Sequence, residues 1–237
     1  MDAESLAPRR VVDRRFYTLA GILAMLIVLL GFGKTYFLKL AFGTPALSPL
    51  LHLHGLVMTS WFVLFIVQAK LVSARRVDLH RKLGMVGALV ALAVLLVGPM
   101  AAITAARLGR SPGPPPLIFL VVPLGDMVVF ATLVGAGLWY RAKPDYHKRL
   151  MLLSCAGMLT AAIARIPLEV VAKAGIPLYF GLTDLFVLSC LFYDRVKTGK
   201  FNPAFVWGAL FVMLSHPARL ILGGTAQWMK MALWLVR

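Results

Sequence analysis

The sequence predicts an all-α membrane bundle, one transmembrane domain over residues 1–237 with seven crossing helices. Three observations predict it. Hydrophobic residues make up 60% of the chain and charged residues 14%, where a soluble domain carries roughly 25% charged. The apolar residues come in runs close to the ~20 residues that cross the hydrocarbon of a bilayer. The basic residues, 25 against 9 acidic for a net charge of +16, fall in short stretches between those runs. That placement points to topology and anionic headgroups, not to nucleic acid.

The first expected span is Phe16–Phe37. A short charged segment, Met1–Arg15, precedes it; Lys34 and Lys39 interrupt its far end, and no small-x-small cleavage site follows. It therefore reads as an uncleaved helix and not as a signal peptide. The next spans are Leu51–Ala69, Leu83–Ala106, Leu117–Tyr140, Leu150–Val171, Leu178–Tyr193 and Ala204–Leu222. The sixth is the shortest. The tail Gln227–Arg237, with Trp228, Leu233, Trp234 and Lys230, fits an interfacial helix or an extension of the seventh span. Between spans three and four, Ser111-Pro-Gly-Pro-Pro-Pro116 reads as a stiff connector. Cys155 and Cys190 lie inside apolar runs and read as small core residues.

The loops set the expected orientation. One side carries Arg9, Arg10, Arg14 and Arg15, then Lys70, Arg75, Arg76, Arg81 and Lys82, then Arg141, Lys143, Lys148 and Arg149, then Arg195, Lys197 and Lys200: 4+5+4+3, or 16 of the 25 basic residues. The positive-inside rule puts that side, and the N-terminus, in the cytoplasm. Seven spans then place the C-terminus outside. A bacterial inner membrane, with anionic headgroups on the cytoplasmic side and a membrane-protein partner or a second copy beside the chain, is the expected setting.

An internal repeat runs through the basic loops. Asp78-Leu-His80-Arg-Lys-Leu83 matches Asp145-Tyr-His147-Lys-Arg-Leu150. His147 to Arg165 and Phe201 to Arg219 are both 19-residue stretches ending in Ala-Arg. The pattern suggests one leading helix followed by three helical hairpins.

Polar groups inside spans are costly and mark functional candidates. At a rise of about 1.5 Å per residue, Asp126 and Arg165 each lie roughly 22 Å from the basic side, His54 roughly 24 Å and His216 roughly 20 Å. Arg219 and Asp184 fall at a similar level. His52 is two residues from His54, so the two point to different sides of their helix. Asp126 with Arg165 and Asp184 with Arg219 are the expected neutralising pairs, with Glu169 a further partner for Arg165. A metal set could come from His52, His54, Asp126, Asp184 and His216. A b-type haem could take His54 and His216 at one level and His80 and His147 at the other, with Arg165 and Arg219 beside an anionic group. Asp78 and Asp145 also suit helix starts.

Three function classes follow. The first is a redox protein that holds b-type haem or exchanges electrons with quinone. The second is a zinc-dependent seven-helix membrane hydrolase. The third is a transporter, or an assembly or accessory subunit of a respiratory complex, using the buried charges as a polar path. The chain carries no phosphate-binding loop, dinucleotide fingerprint or His-Glu-x-x-His motif.

The string Leu79-His-Arg-Lys-Leu-Gly84, after a span ending Gln68-Ala-Lys70, resembles uncharacterised bacterial multi-pass membrane proteins with a His-Arg-x-Leu-Gly motif. His147-Lys-Arg-Leu-Met151 resembles a second motif of that kind. The likeness runs from about Leu51 to Arg165 and implies a bacterial inner membrane. The histidines at two depths are also similar to those of di-haem b-type cytochromes, although their spacing differs.

Overall fold

The computed structural model describes residues 6–111 and 114–237, with side chains from residue 15 onward. Pro112 and Gly113 of the proline-rich connector, and the side chains of Arg9, Arg10 and Arg14, lie outside the described residues. The elements are α1 (Leu6–Phe32), a π-helical turn (Gly33–Phe37), α2 (Pro49–Ser73), α3 (Val77–Arg107), α4 (Pro116–Phe119), α5 (Val121–Trp139), α6 (Pro144–Ala156), α7 (Thr160–Ile163), α8 (Glu169–Thr198), α9 (Pro203–Gly223) and α10 (Ala226–Leu235). A 3₁₀ turn, Tyr140–Ala142, joins α5 to the loop before α6.

Among the described residues, six helices are long and apolar enough to cross a membrane: Arg15–Phe37, Pro49–Ser73, Val77–Arg107, Pro116–Ala142, Glu169–Thr198 and Pro203–Gly223. The segment expected as a fifth span, Leu150–Val171, is not among them. It begins earlier, at Pro144, and is divided into α6 and α7. The division is a tightening rather than an unwinding. Met158 and Leu159 donate to carbonyls three residues back, at 3.2 and 3.1 Å, before four-residue spacing resumes at Ile163. Helix α7 ends before Pro167, which has no N–H to continue it.

The order of neighbours explains that segment. Helices α1, α2, α3, α5, α9 and α8 pack in sequence as a ring. Helix α6 packs most extensively against five of them, α1, α2, α5, α8 and α9, and meets α3 where their N-terminal ends come together. Leu152, Leu153, Ser154, Cys155 and Ala156 are at most 1% exposed. The Lys148 ammonium sits 5.3 Å above the Tyr17 ring near the start of the apolar stretch Arg15–Phe37, and the Ala162 carbonyl backs onto Gly31 near the end of α1. The α6–α7 segment therefore runs alongside α1 in the middle of the ring.

The ring helices divide their faces as lipid-facing helices do. On α1, Leu19, Leu23, Leu26 and Leu30 are exposed, while Ala20, Ala24 and Val28 are buried. Helix α8 bends at Gly175, whose φ of 66° suits glycine. The part after the bend, 176–198, is longer than the expected Leu178–Tyr193. The tail is not an extension of α9. A turn at Gly224 and Thr225 leads into α10, which folds back so that the Trp228 indole donates to the Leu117 carbonyl at 2.8 Å. Arg107 donates to the carbonyls of Leu235 and Val236.

The closest approach to the central segment sets a test. A Cβ at Gly31 would lie 2.0 Å from the Ala162 carbonyl oxygen, a backbone atom that cannot rotate away, whereas a Cβ at Gly135 meets nothing within 4 Å. Gly31→Ala is expected to cost about 2 kcal/mol by overpacking. Gly135→Ala is expected to leave stability equal or raised. Thermal unfolding of the two variants in one detergent reads the difference.

Candidate functional site

At the end away from the basic loops, two neighbouring polar pairs form between α5, α8 and α9. The Arg219 guanidinium donates through Nη1 to Asp126 Oδ1 and, at 3.4 Å, to the Val122 carbonyl; Nη2 donates to Ser215 Oγ at 2.9 Å. Both charged residues are buried, Asp126 at 7% and Arg219 at 4% exposure. Gly125 makes the room, because a Cβ there would come within 2.5 Å of Arg219 Nε. His216, three residues before Arg219 and so on the same helix face, is 2% exposed and stacks on Phe180 with centroids 4.2 Å apart and planes 7° from parallel. Its Nδ1 lies 2.9 Å from Asp184 Oδ1, an ion-pair distance but off hydrogen-bond alignment. Its Nε2 is buried with no hydrogen-bond partner.

The sequence placed these residues at one level but paired them wrongly. Arg219 takes Asp126, not Asp184, and Asp184 takes His216. Arg165 pairs with neither Asp126 nor Glu169. Its guanidinium donates to the Ala161 carbonyl at 2.8 Å and lies 5.0 Å over the Phe32 ring. Glu169 pairs instead with Lys173 at 3.0 Å. The reason is direction around the bundle axis. Arg165 ends the central segment on its α1 side, while Asp126 faces α9.

His54 belongs to a separate place. It lies on α2, which is not a neighbour of α9 in the ring. Its Nδ1 is buried without a partner, and Arg165 is the charge within electrostatic range. His52 is exposed; its carbonyl accepts from the Tyr36 hydroxyl at 3.1 Å, and Tyr36 covers Gly55. His54 and His216 thus sit on opposite sides of α6–α7. Among the described residues no group of three or more His, Cys, Asp or Glu gathers as a metal site, so His52, His54, Asp126, Asp184 and His216 do not act as one set.

At the basic end the repeat is expressed in space. The rings of His80 and His147 meet at 6.1 Å between centroids and 80° between planes. His147 Nδ1 is 2.8 Å from the Gly137 carbonyl oxygen. A carbonyl only accepts, so this nitrogen carries the proton. His80 Nδ1 is buried with no partner. Gln68 donates from Nε2 to the His80 carbonyl at 3.2 Å, and its Oε1 is also buried without a partner.

One feature of this end was not legible. Arg149, counted among the basic loop residues, is 3% exposed and forms a two-pronged bond to the equally buried Asp194: Nε to Oδ2 at 3.0 Å and Nη2 to Oδ1 at 2.7 Å. Its Nη1 donates to the Asp145 carbonyl at 2.6 Å. Partial burial would raise the Asp145 carboxyl, but Lys148 and Arg149 outweigh it and hold it below the ordinary carboxylate range. The available signal was Asp194 itself, a lone acid before the basic stretch Arg195–Lys200.

Asp194→Ala leaves a guanidinium buried without its counter-charge and is expected to cost about 3–5 kcal/mol. Adding Arg149→Met should restore most of that loss, because an apolar side chain of similar length needs no partner. A double-mutant cycle on thermal or denaturant unfolding in detergent measures the coupling.

Comparison with family models, curated protein sequences and solved structures yields no match for this chain.

Proposed function

We propose that the chain is an inner-membrane redox protein that crosses the bilayer seven times, N-terminus in the cytoplasm, and uses His216 to engage a b-type haem or a quinol. The seventh crossing is the broken central segment α6–α7, which follows α1 from Tyr17 to Gly31. The orientation rests on the excess of basic residues at one end.

The observation that carries the redox reading is the state of His216. Nδ1 lies 2.9 Å from Asp184 Oδ1, and the buried Nε2 has no partner in the protein; a proton on Nδ1 leaves Nε2 its lone pair. An unsatisfied buried acceptor costs about 1–3 kcal/mol, a cost that a ligand would remove. A lone pair oriented by a carboxylate on the far nitrogen suits a haem iron, where imidazole is a common axial ligand. It equally suits a quinol hydroxyl, whose proton His216 would take and Asp184, 24% exposed at its side chain, would pass toward the surface. The flat Phe180–His216 stack offers a flat neighbour for either ring.

The residues fit a single axial donor better than a histidine pair, since His54 lies across the central segment. A zinc hydrolase needs three protein donors and an open position, and no such group gathers among the described residues. The buried Asp126–Arg219 pair beside His216 is what supports a polar pathway as the second reading.

Protein purified from a haem-replete host is expected to show Soret absorbance, or to carry extractable quinone at near one equivalent. His216→Ala should reduce either by tenfold or more. A folded preparation with neither haem nor quinone overturns the proposal. Zinc that is lost with His216→Ala, in a sample without iron, favours hydrolysis instead.

A further inference from the structure

We infer that His80 and His147 form a second site, at the basic end, that binds one borderline transition-metal ion of the zinc class, independent of the site around His216.

Three features of the pair point to a ligand with vacant orbitals. The first is the tautomer of His147. Its Nδ1–H is committed to the Gly137 carbonyl, so the neutral ring presents Nε2 as a lone-pair donor. A ring fixed through its other nitrogen by a backbone carbonyl is the usual outer support of a metal-bound histidine.

The second feature is unsatisfied chemistry beside it. His80 Nδ1 is buried without a partner, and so is Gln68 Oε1, on a residue tied to His80 by its own amide. The Gln68 oxygen can only accept, and a buried acceptor without a donor is destabilising. Two imidazole nitrogens and an amide oxygen make a mixed N/O donor set that zinc-class ions accept, with water filling the remaining position.

The third feature is span. Two metal–nitrogen bonds of about 2.0–2.1 Å plus the two ring radii roughly cover the 6.1 Å between centroids. An ion between the rings therefore needs side-chain adjustment, not movement of α3 against α6. The nearby carboxylates are already engaged, Asp78 with Arg76 and Asp145 with Lys148 and Arg149. They hold down local positive charge without entering the donor set. A nearby cluster of Arg81, Lys82 and Lys148 opposes a cation, which makes the affinity moderate and salt-sensitive.

The site also accounts for the sequence repeat. The two Asp-x-His-basic-basic-Leu strings start α3 and α6, and the bundle sets those two starts together so that each string contributes its histidine.

The test uses the full-length protein in detergent, stripped with a chelator and checked for folding by size exclusion. Zn²⁺ is titrated in competition with a chromophoric chelator, and Co²⁺ absorption is read in parallel. One saturable equivalent is expected, weakened at least tenfold in both His80→Gln and His147→Gln and retained in His216→Ala. In the unsubstituted protein, bound Zn²⁺ should protect His80 and His147, but not exposed His52, from diethyl pyrocarbonate, read by mass spectrometry. This readout keeps the test decisive if a variant fails to fold. Unchanged binding in both glutamine variants, or equal modification of the three histidines with and without Zn²⁺, overturns the inference. Haem or quinone content plays no part in this readout, so the two proposals fail separately.

Discussion

The buried charge of Arg149 is the constraint around which this bundle is arranged. A segment that opens with Asp145, His147, Lys148 and Arg149 is too polar at its start to face hydrocarbon along its whole length. Placed in the middle of six apolar helices, it keeps Arg149, Leu150 and Leu152 to Ala156 buried. Its guanidinium then needs a counter-charge from the ring, and Asp194 at the basic end of α8 provides it through two hydrogen bonds. That contact fixes the depth of α6 relative to α8 at one end. At the other end Gly31 fixes it relative to α1 by letting the Ala162 backbone come close. Between these points the central segment is held by packing and by the Thr160–Thr183 hydrogen bond, since van der Waals contact, small residues and hydrogen bonds are the main forces available between helices in lipid.

The opposite end shows the same logic applied to more groups. Arg219 needs a carboxylate, and Asp126 reaches it because Gly125 clears the space between α5 and α9. That pairing leaves Asp184 for His216. Thr183, next to Asp184, is fully buried and shares a hydrogen bond with Thr160 of α7 at 3.0 Å. The turn of α8 that presents Asp184 is therefore also a point of attachment for the central segment.

Much of this was legible in the sequence, and the limits are physical. Apolar run length found the six long apolar helices, because hydropathy tracks the requirement that backbone polar groups be bonded within each segment. It misjudged the fifth, since a helix buried in protein is not obliged to be uniformly apolar and Pro144 begins it inside the basic stretch. Depth could be counted along each helix, which put His54, Asp126, Asp184, His216 and Arg219 at one level. Direction around the axis could not be counted, so Arg165 was given Asp126, and Arg219 was given Asp184. Arg149 was missed because charge near a span end reads as solvated. The repeat was the more informative signal: matching strings at Asp78–Leu83 and Asp145–Leu150 put their histidines ring to ring.

The two ends are chemically separate, and that bears on which kinds of function the bundle can support. From His147 to Thr160 the central segment advances roughly 20 Å. Between Arg149 and Thr160 the groups it buries are Leu150, Leu152, Leu153, Cys155, Ala156 and Leu159, with Ser154 bonded back to its own helix at the Met151 carbonyl. Against them pack Val129, Phe130, Leu133, Phe205, Ala209 and Val212 from α5 and α9. A layer of that composition offers an ion or a polar solute no stepping stones. Carriage through that layer would need its packing to part, and the Arg149–Asp194 bond ties α6 to α8 at one end. Electrons need no such movement through a packed apolar layer. A bundle with His216 toward one end, His80 and His147 toward the other and an apolar layer between them is therefore better suited to binding at its two ends than to opening a path between them.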